Sequence, residues 1–281
     1  MYQHNPRIIE RILFRTAARW ARMGFVLRII VFTFGILSII LSFLNQATPF
    51  IIAFLSIIVE VCNWRADNYR GSAEDLHRKL DMQESFGWSI SRNEMSDIVV
   101  QLSERERKES LATNNIEPYF ASQNPVGAKK ALENLQESSW FTKHLALRMS
   151  MLYSIATVLL TVGSIWLLVI SIEMIQNLNT LSNIGRLATS ILVVVFSLGL
   201  AKFAYGYYRY NIKASNTERS AQDLLRSTSL TETEAINLWH DYQIARRTSP
   251  VIPTWLWKNM RNHLNLSWET YRVDQSVSNK P

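Results

Sequence analysis

A stripe of small hydroxyl side chains runs along the third apolar stretch of this 281-residue sequence. Its members recur every three or four positions, except that Leu168 interrupts the pattern before the last one: Ser150, Ser154, Thr157, Thr161, Ser164 and Ser171. On a membrane helix such residues let a neighbouring helix approach closely and form hydrogen bonds. They also line water-filled paths, where a hydroxyl replaces lost hydration. The spacing leaves pore lining and helix packing open, and Ser56 lies on a similar stripe of the second apolar stretch.

Three ionisable residues interrupt the apolar stretches: Arg28, Glu60 and Lys202. A charge at the centre of a bilayer costs about 3 kcal/mol, so such residues are usually paired or wetted. We expect Glu60 to pair with Lys202 or Arg28, within one chain or between chains. The alternative for the two basic residues is snorkelling, in which a long side chain reaches water alone.

A third group combines arginine and tryptophan near the C-terminus, at Arg246, Arg247, Trp255 and Trp257. Guanidinium groups pair with phosphates, and indole rings stack on bases or bind cations. These residues are therefore candidate contacts for a nucleotide ligand or a partner. A small hydrophobic core or an interfacial aromatic belt has the same composition, and the sequence does not separate these uses.

Motifs of common enzymes are missing from the sequence. It contains no Gly-rich phosphate loop, no H-E-x-x-H, no C-x-x-C and no nucleophile elbow. The five histidines have no metal-ligand spacing. A single cysteine, Cys62, excludes an internal disulfide. We expect a protein that is not an enzyme and that has neither a metal nor a resident cofactor.

The elements that must position these residues are four apolar stretches of 17 to 23 residues. A bilayer core of about 30 Å requires roughly 17–25 helical residues. The stretches fall into two predicted hairpins, residues 25–64 and 150–208, with short links around 45–47 and 176–186. The sequence thus predicts an all-α membrane protein with two transmembrane helical hairpins, four spans in all, and helical cytoplasmic extensions.

Positive charge orients these spans. Of the 30 Lys and Arg residues, 27 lie in segments 1–24, 65–149 and 209–281. Basic residues favour the cytoplasmic side, so both termini are predicted to lie inside and the chain to cross the inner membrane. Segment 65–149 carries 12 basic and 13 acidic residues and is nearly neutral. This balance argues against a duplex nucleic acid partner.

Residues 1–24 are predicted to form a basic amphipathic helix. Arginines recur along one side: Arg7, Arg11, Arg15, Arg19 and Arg22. Ile9, Leu13, Ala17 and Trp20 fall on the other side. This pattern favours a helix lying in the lipid headgroup layer, where basic groups meet anionic lipid. The alternative is a helix packed on the cytoplasmic part of the protein.

The cytoplasmic segments are predicted to be helical extensions of the spans. Residues 65–149 form a stalk whose first arm stops at Gly87 and whose second begins at Asn124-Pro125. The predicted capping boxes are Ser91-x-x-Glu94, opening a helix to about Ser110, and Thr231-x-x-Glu234, opening one to about Thr248. In segment 209–281, Thr254 is predicted to cap a short helix through Leu264.

Two cytoplasmic stretches carry a resemblance to a known family. They are LHRKLDMQESFGWSISRNE (Leu76–Glu94) and HDYQIARRTSPVIPTWLWKNM (His240–Met260). With the four-span layout, they resemble the SMODS-associated four-transmembrane effectors of prokaryotic CBASS anti-phage systems. The resemblance implies an effector that damages the inner membrane when a cognate nucleotidyltransferase signals infection. It also implies a cyclic oligonucleotide as the activating second messenger.

The expected function is therefore a signal-gated membrane effector that disrupts or depolarises the membrane and causes growth arrest or abortive infection. Four spans enclose no wide channel, so a pore would require a homo-oligomer. Two alternatives remain: a non-conducting membrane anchor that recruits a cytoplasmic partner, and a membrane effector of a retron or toxin–antitoxin unit.

Overall fold

The computed structural model describes residues 4–40, 47–111, 119–174, 184–185, 187–189, 191–192 and 199–278. Its helices are α1 (Pro6–Ile40), α2 (Thr48–Phe86), α3 (Arg92–Val100), α4 (Glu104–Ser110), α5 (Ala128–Met174), α6 (Leu200–Arg226), α7 (Glu232–Thr248) and α8 (Thr254–Ser278). The residues in these ranges contain no strand, and the predicted all-helical class is confirmed.

Within the described residues, three helices are long and apolar enough to cross a membrane: α1, α2 and α5. Their most apolar windows have mean hydropathies of 1.7, 1.5 and 2.4 and are mostly exposed. Side chains of this kind, facing outward along a helix, are suited to lipid. Membrane association is thus confirmed by length and composition. The two predicted hairpin links and most of the predicted fourth span lie outside the described residues.

The chain divides into two compact units. One comprises Met1–Gln83, Trp88–Ile116 and Ile155–Ala201, and the other comprises Glu84–Gly87, Glu117–Ser154 and Lys202–Pro281. Helices α2 and α5 each contribute residues to both units without a break. For these two helices, the apolar part continues into a polar helical extension, as predicted, and the cytoplasmic side of the extensions stays a prediction.

The first unit has its core where α1 meets α2 and α3. Apolar residues from the first turns of α1 are buried together with residues from α2 and Leu102: Ile9, Ile12, Leu13, Ala73, Leu76 and Leu80. This core corrects the predicted headgroup position of residues 7–22. Their apolar side packs on protein, as in the alternative, because α2 extends far enough beyond its apolar part to cover that side. Arg11, Arg15, Arg19 and Arg22 remain exposed.

Close approach of α1 and α2 continues at Gly24. A methyl group built there would lie 3.2 Å from Asn63 Oδ1 and 3.4 Å from Cys62 Cβ. A glycine at this position lets the two backbones come together, as small residues do between membrane helices.

Capping explains the short helices of the first unit. Ser91 and Glu94 form the predicted box at the start of α3. A second box, Ser103 with Glu106, starts α4, so the predicted single helix to Ser110 is wrong and is broken at Gln101. The predicted stop at Gly87 is confirmed, since this glycine follows α2 with a φ of 77°.

The second unit is built around the first turns of α5, against which α6, α7 and α8 pack. The predicted box of Thr231 and Glu234 starts α7. Two helix bounds differ from prediction. Helix α5 begins at Ala128 rather than Pro125, because Asn124 instead binds Glu133 through its side chain at 2.8 Å. Helix α8 includes Thr254, the residue predicted to cap it, as its first residue and runs far beyond Leu264, to Ser278.

Candidate functional site

A buried charge cluster joins the first turn of α1 to α2 and consists of Arg7, Glu10, His77 and Asp81. Glu10 and His77 make a short contact through Oε1 and Nδ1, and Arg7 donates to Glu10 Oε2 at 3.2 Å. His77 Nε2 lies 3.0 Å from Asp81 Oδ2, as an ion pair rather than an aligned hydrogen bond. Arg7 completes the cluster at 3.7 Å from Asp81 Oδ1.

The cluster is almost completely removed from water. The side chains of His77 and Asp81 are 4% and 1% exposed, and that of Glu10 is 9% exposed. Buried charges are stable only when they are paired and hydrogen-bonded. When His77 carries both ring protons, two cations face two carboxylates and the four charges balance.

Glu10 precedes Arg22 in the sequence and therefore lies outside the apolar window of α1. Burial alone would raise the pKa of the Glu10 carboxyl. The hydrogen bond from His77 and the charges of His77 and Arg7 outweigh burial, so this pKa lies below its ordinary value of 4.5. Glu10 is therefore ionised at neutral pH.

A second, exposed set of contacts ties α1 to α4. Arg15 forms a bidentate pair with Glu109 at 2.9 and 2.6 Å, and Thr16 donates to Glu106 at 2.9 Å. The Arg15 contact lowers the pKa of Glu109. Both side chains of this pair are more than 40% exposed. Water and salt screen such a pair, so it contributes less to stability than the buried cluster.

The cluster connects α1 to α2 through charged side chains. Two helices are held together by charges that are stable only while both helices are in place. Among the described residues, no group of three or more His, Cys, Asp and Glu side chains is arranged to hold a metal ion.

The hydroxyl side chains of the α5 stripe differ in how deeply they are buried. Ser164 and Ser171 are buried, and each donates to its own helix, at 2.6 Å to Leu160 O and 2.8 Å to Leu168 O. Thr157 and Thr161 are half-buried, and Ser154 is exposed, as is Ser56 on α2. Within one chain the stripe thus has a packed part and an accessible part. Pore lining stays a prediction.

The three intramembrane charges are all exposed or half-buried. Glu60 is exposed, and Asn63 lies 3.5 Å from its carboxylate. In the described part of the first unit, no ion pair joins Glu60 to Arg28. Pairing between chains stays a prediction, and Lys202 is exposed at the start of α6.

The C-terminal aromatic residues mostly form the core of the second unit. Trp239 is fully buried and donates from Nε1 to Ala131 O at 2.7 Å. Tyr242 is buried, and its hydroxyl lies 2.8 Å from Thr142 Oγ1. The ring of Trp268 is centred 5.3 Å from that of Trp140. These contacts favour the small core that the sequence left open as an alternative.

The four candidate ligand contacts differ in their surroundings. Trp257 packs edge-on against Phe141 with ring centres 5.5 Å apart, so it belongs to the core. Trp255 is 49% exposed, and Arg247 is exposed in the last turn of α7. Arg246 is half-buried. The structure therefore separates Trp257 from the other candidates, and the nucleotide contact stays a prediction.

A polar network also joins the helices of the second unit. Lys143 of α5 donates to Glu218 of α6, whose other oxygen accepts from the Tyr271 hydroxyl at 3.2 Å. Burial and the nearby Glu218 charge raise the pKa of Tyr271. Gln136 donates to the same hydroxyl at 3.4 Å. The network connects α5, α6 and α8.

Sequence reasoning missed the buried charge cluster. A signal was present, since Arg7 and Glu10 lie three positions apart and His77 and Asp81 four apart, each on one helix face. Neither pair alone indicates the other as its partner. No family model, no curated protein and no solved structure matches this chain.

Proposed function

We propose that this chain is a signal-gated membrane effector of prokaryotic anti-phage defence, which oligomerises and disrupts or depolarises the inner membrane. The observation that carries the proposal is helix continuity. Helices α2 and α5 each combine a membrane-length apolar part with a polar part that packs against other helices. A change in that packing then acts on a membrane helix without an intervening flexible loop.

The buried charge cluster gives this coupling a second connection. Arg7 and Glu10 precede the apolar part of α1, and His77 and Asp81 follow the apolar part of α2. A signal that favours one packing of these extensions would shift both membrane helices between two arrangements. Tightly packed elements favour two discrete arrangements over gradual deformation.

An oligomer is the form in which these helices would make a conducting path. Large apolar side chains are exposed along α5, among them Ile155, Leu159, Trp166 and Ile172. Lipid or a second copy would cover them. Thr157, Thr161 and Ser154 are the accessible hydroxyls that we propose line the path in the assembled state.

The defence role and the trigger rest on the resemblance of the two cytoplasmic stretches. Under this proposal the activator is a cyclic oligonucleotide made by a cognate nucleotidyltransferase. Arg247 is exposed in the second of those stretches and is the candidate contact. A neighbouring nucleotidyltransferase gene would support this assignment, whereas a reverse transcriptase gene would support the retron alternative.

Ion flux through the purified full-length chain in liposomes tests the proposal, with cyclic oligonucleotides added as the probe. Flux that depends on the nucleotide is expected. The variant Thr157→Leu/Thr161→Leu should reduce flux, and the matched control Val158→Leu/Val162→Leu should not, because Val158 and Val162 are both 58% exposed on α5. Absence of flux together with stoichiometric capture of a cytosolic enzyme would instead favour the anchor function.

A further inference from the structure

The link between α7 and α8 lies against the first turns of α6. The Tyr207 hydroxyl donates to Val251 O at 2.5 Å. A methyl group built on Gly206 would lie only 2.9 Å from Pro250 Cγ. The link therefore packs on α6 at Gly206 and Tyr207, with no room for a larger residue between them.

Contacts with α5 determine where this link lies relative to the apolar part of that helix. Ser150 Oγ donates to Ala204 O at 3.1 Å, and the Tyr153 ring stacks on that of Tyr207 with centres 5.7 Å apart. Arg148 is the last charged residue before the apolar part of α5. Tyr153 lies five positions beyond Arg148, or about 7.5 Å along the helix. With α5 crossing the membrane from this point, residues in contact with Tyr207 would lie at the water–lipid boundary.

The exposed side chains around the link have the composition of a membrane interface. Tyr205 is 62% exposed, Tyr208 51%, Val251 45% and Trp255 49%. Tyrosine and tryptophan are enriched at this depth because their rings are amphipathic. Exposure to water alone would not explain this clustering of aromatic side chains.

Charge around the link complements anionic lipid. Residues 242–268 contain four basic side chains and no Asp or Glu: Arg246, Arg247, Lys258 and Arg261. Lys258 and Arg261 are exposed, and Lys258 lies three positions after Trp255, on the same face of α8. Each basic group near an anionic surface gains about 1 kcal/mol.

We propose that the α7–α8 link, with Val251, Trp255 and Lys258, is a lipid-binding surface that seats the C-terminal helices on anionic headgroups. Trp255 and Val251 enter the boundary between headgroups and acyl chains, and Lys258 and Arg261 meet phosphate groups. This inference depends on α5 crossing the membrane and is independent of the effector function.

A site-specific fluorophore tests it in the full chain. Val251→Cys and Trp255→Cys are labelled with an environment-sensitive dye in nanodiscs, with Leu266→Cys as the matched control. Leu266 is 67% exposed and lies 11 positions, or about 16 Å, beyond Trp255 along α8. Cys62 is 1% exposed, so the chain without added cysteine gives the labelling background.

Labels at 251 and 255 are expected to emit at shorter wavelength than the label at 266 and to be quenched by lipids brominated near the headgroup. Lys258→Gln/Arg261→Gln should reduce the quenching at 255 in phosphatidylglycerol bilayers and not in phosphatidylcholine bilayers. Labels at 251 and 255 that match 266 would overturn the proposal. So would labels shielded from lipid and aqueous quenchers alike, since that result means a second copy covers the surface.

Discussion

His77 Nδ1 lies 2.5 Å from Glu10 Oε1, although the two residues are 67 positions apart in the chain. The contact joins the first turn of α1 to the extension of α2, outside the apolar part of either helix. It is buried and belongs to a set of four side chains whose charges balance when His77 carries both ring protons. Loss of any one charge leaves its partners uncompensated in a medium of low polarity.

The first prediction is that His77→Ala destabilises the protein strongly. It leaves the Glu10 and Asp81 carboxylates buried with only Arg7 to balance them, and removal of one partner of a buried pair costs about 3–5 kcal/mol. Arg15→Ala, which breaks the exposed pair with Glu109, should cost about 0.2–1 kcal/mol. Thermal unfolding in detergent micelles measures both. Equal losses would show that the cluster is not the main connection between α1 and α2.

A second prediction concerns the stability of the folded protein at acidic pH. The lowered pKa of Glu10 means that this carboxylate stabilises the folded state above its ordinary pKa of 4.5. That stabilisation is lost as the pH falls through the lower folded-state pKa. Glu10 faces Arg7, His77 and Asp81, so protonation removes a negative charge between two cations.

As the pH decreases below 4.5, the midpoint temperature of unfolding should therefore fall less for Glu10→Gln than for the wild type. At neutral pH the variant should be the less stable of the two. Midpoints recorded from pH 7 to pH 3 test both statements. Parallel curves over that range would mean that folding does not lower the pKa of Glu10.

Helix capping and membrane length were predictable because both are local properties. The apolar windows of α1, α2 and α5 follow from composition alone. The boxes at Ser91 and Thr231 follow from spacing within four residues. The same rule fits Ser103-x-x-Glu106, which divides the predicted helix in two.

Contacts between distant segments were not predictable. The basic stripe of residues 7–22 favours a lipid surface but also fits a water-exposed helix face. Only the position of Leu76 and Leu80 beside Ile9 and Leu13 decides between them. Likewise, Trp255 and Trp257 look alike in sequence, and the Phe141 ring on α5 determines which of the two is covered.

A third prediction tests whether the C-terminal aromatic residues form a core. Trp268 is 6% exposed, and its ring contacts Trp140, Phe141 and Tyr271. Trp268→Ala should cost about 3–5 kcal/mol because it leaves a cavity. Leu266→Ala, two positions away and 67% exposed, should change stability by less than about 0.5 kcal/mol. A tolerated Trp268→Ala would favour a ligand surface in place of the core.

A fourth prediction compares two glycines. Gly71 lies inside α2 with open space around it, so Gly71→Ala should stabilise the protein by about 0.5–1 kcal/mol. Gly206→Ala should destabilise it, because the added methyl would meet the rigid Pro250 ring. The sign of each change in unfolding midpoint checks the prediction. Stabilisation by Gly206→Ala would show that the α7–α8 link does not pack on α6.

The central claim is that this chain acts on the membrane that holds it. The most direct measurement is the membrane potential of cells that produce the chain with its neighbouring gene products during phage infection, followed with a potential-sensitive dye. We predict a loss of potential before lysis that requires the chain and is weakened by Thr157→Leu/Thr161→Leu at equal protein level. An unchanged potential, with the chain present in the membrane fraction, would contradict the account.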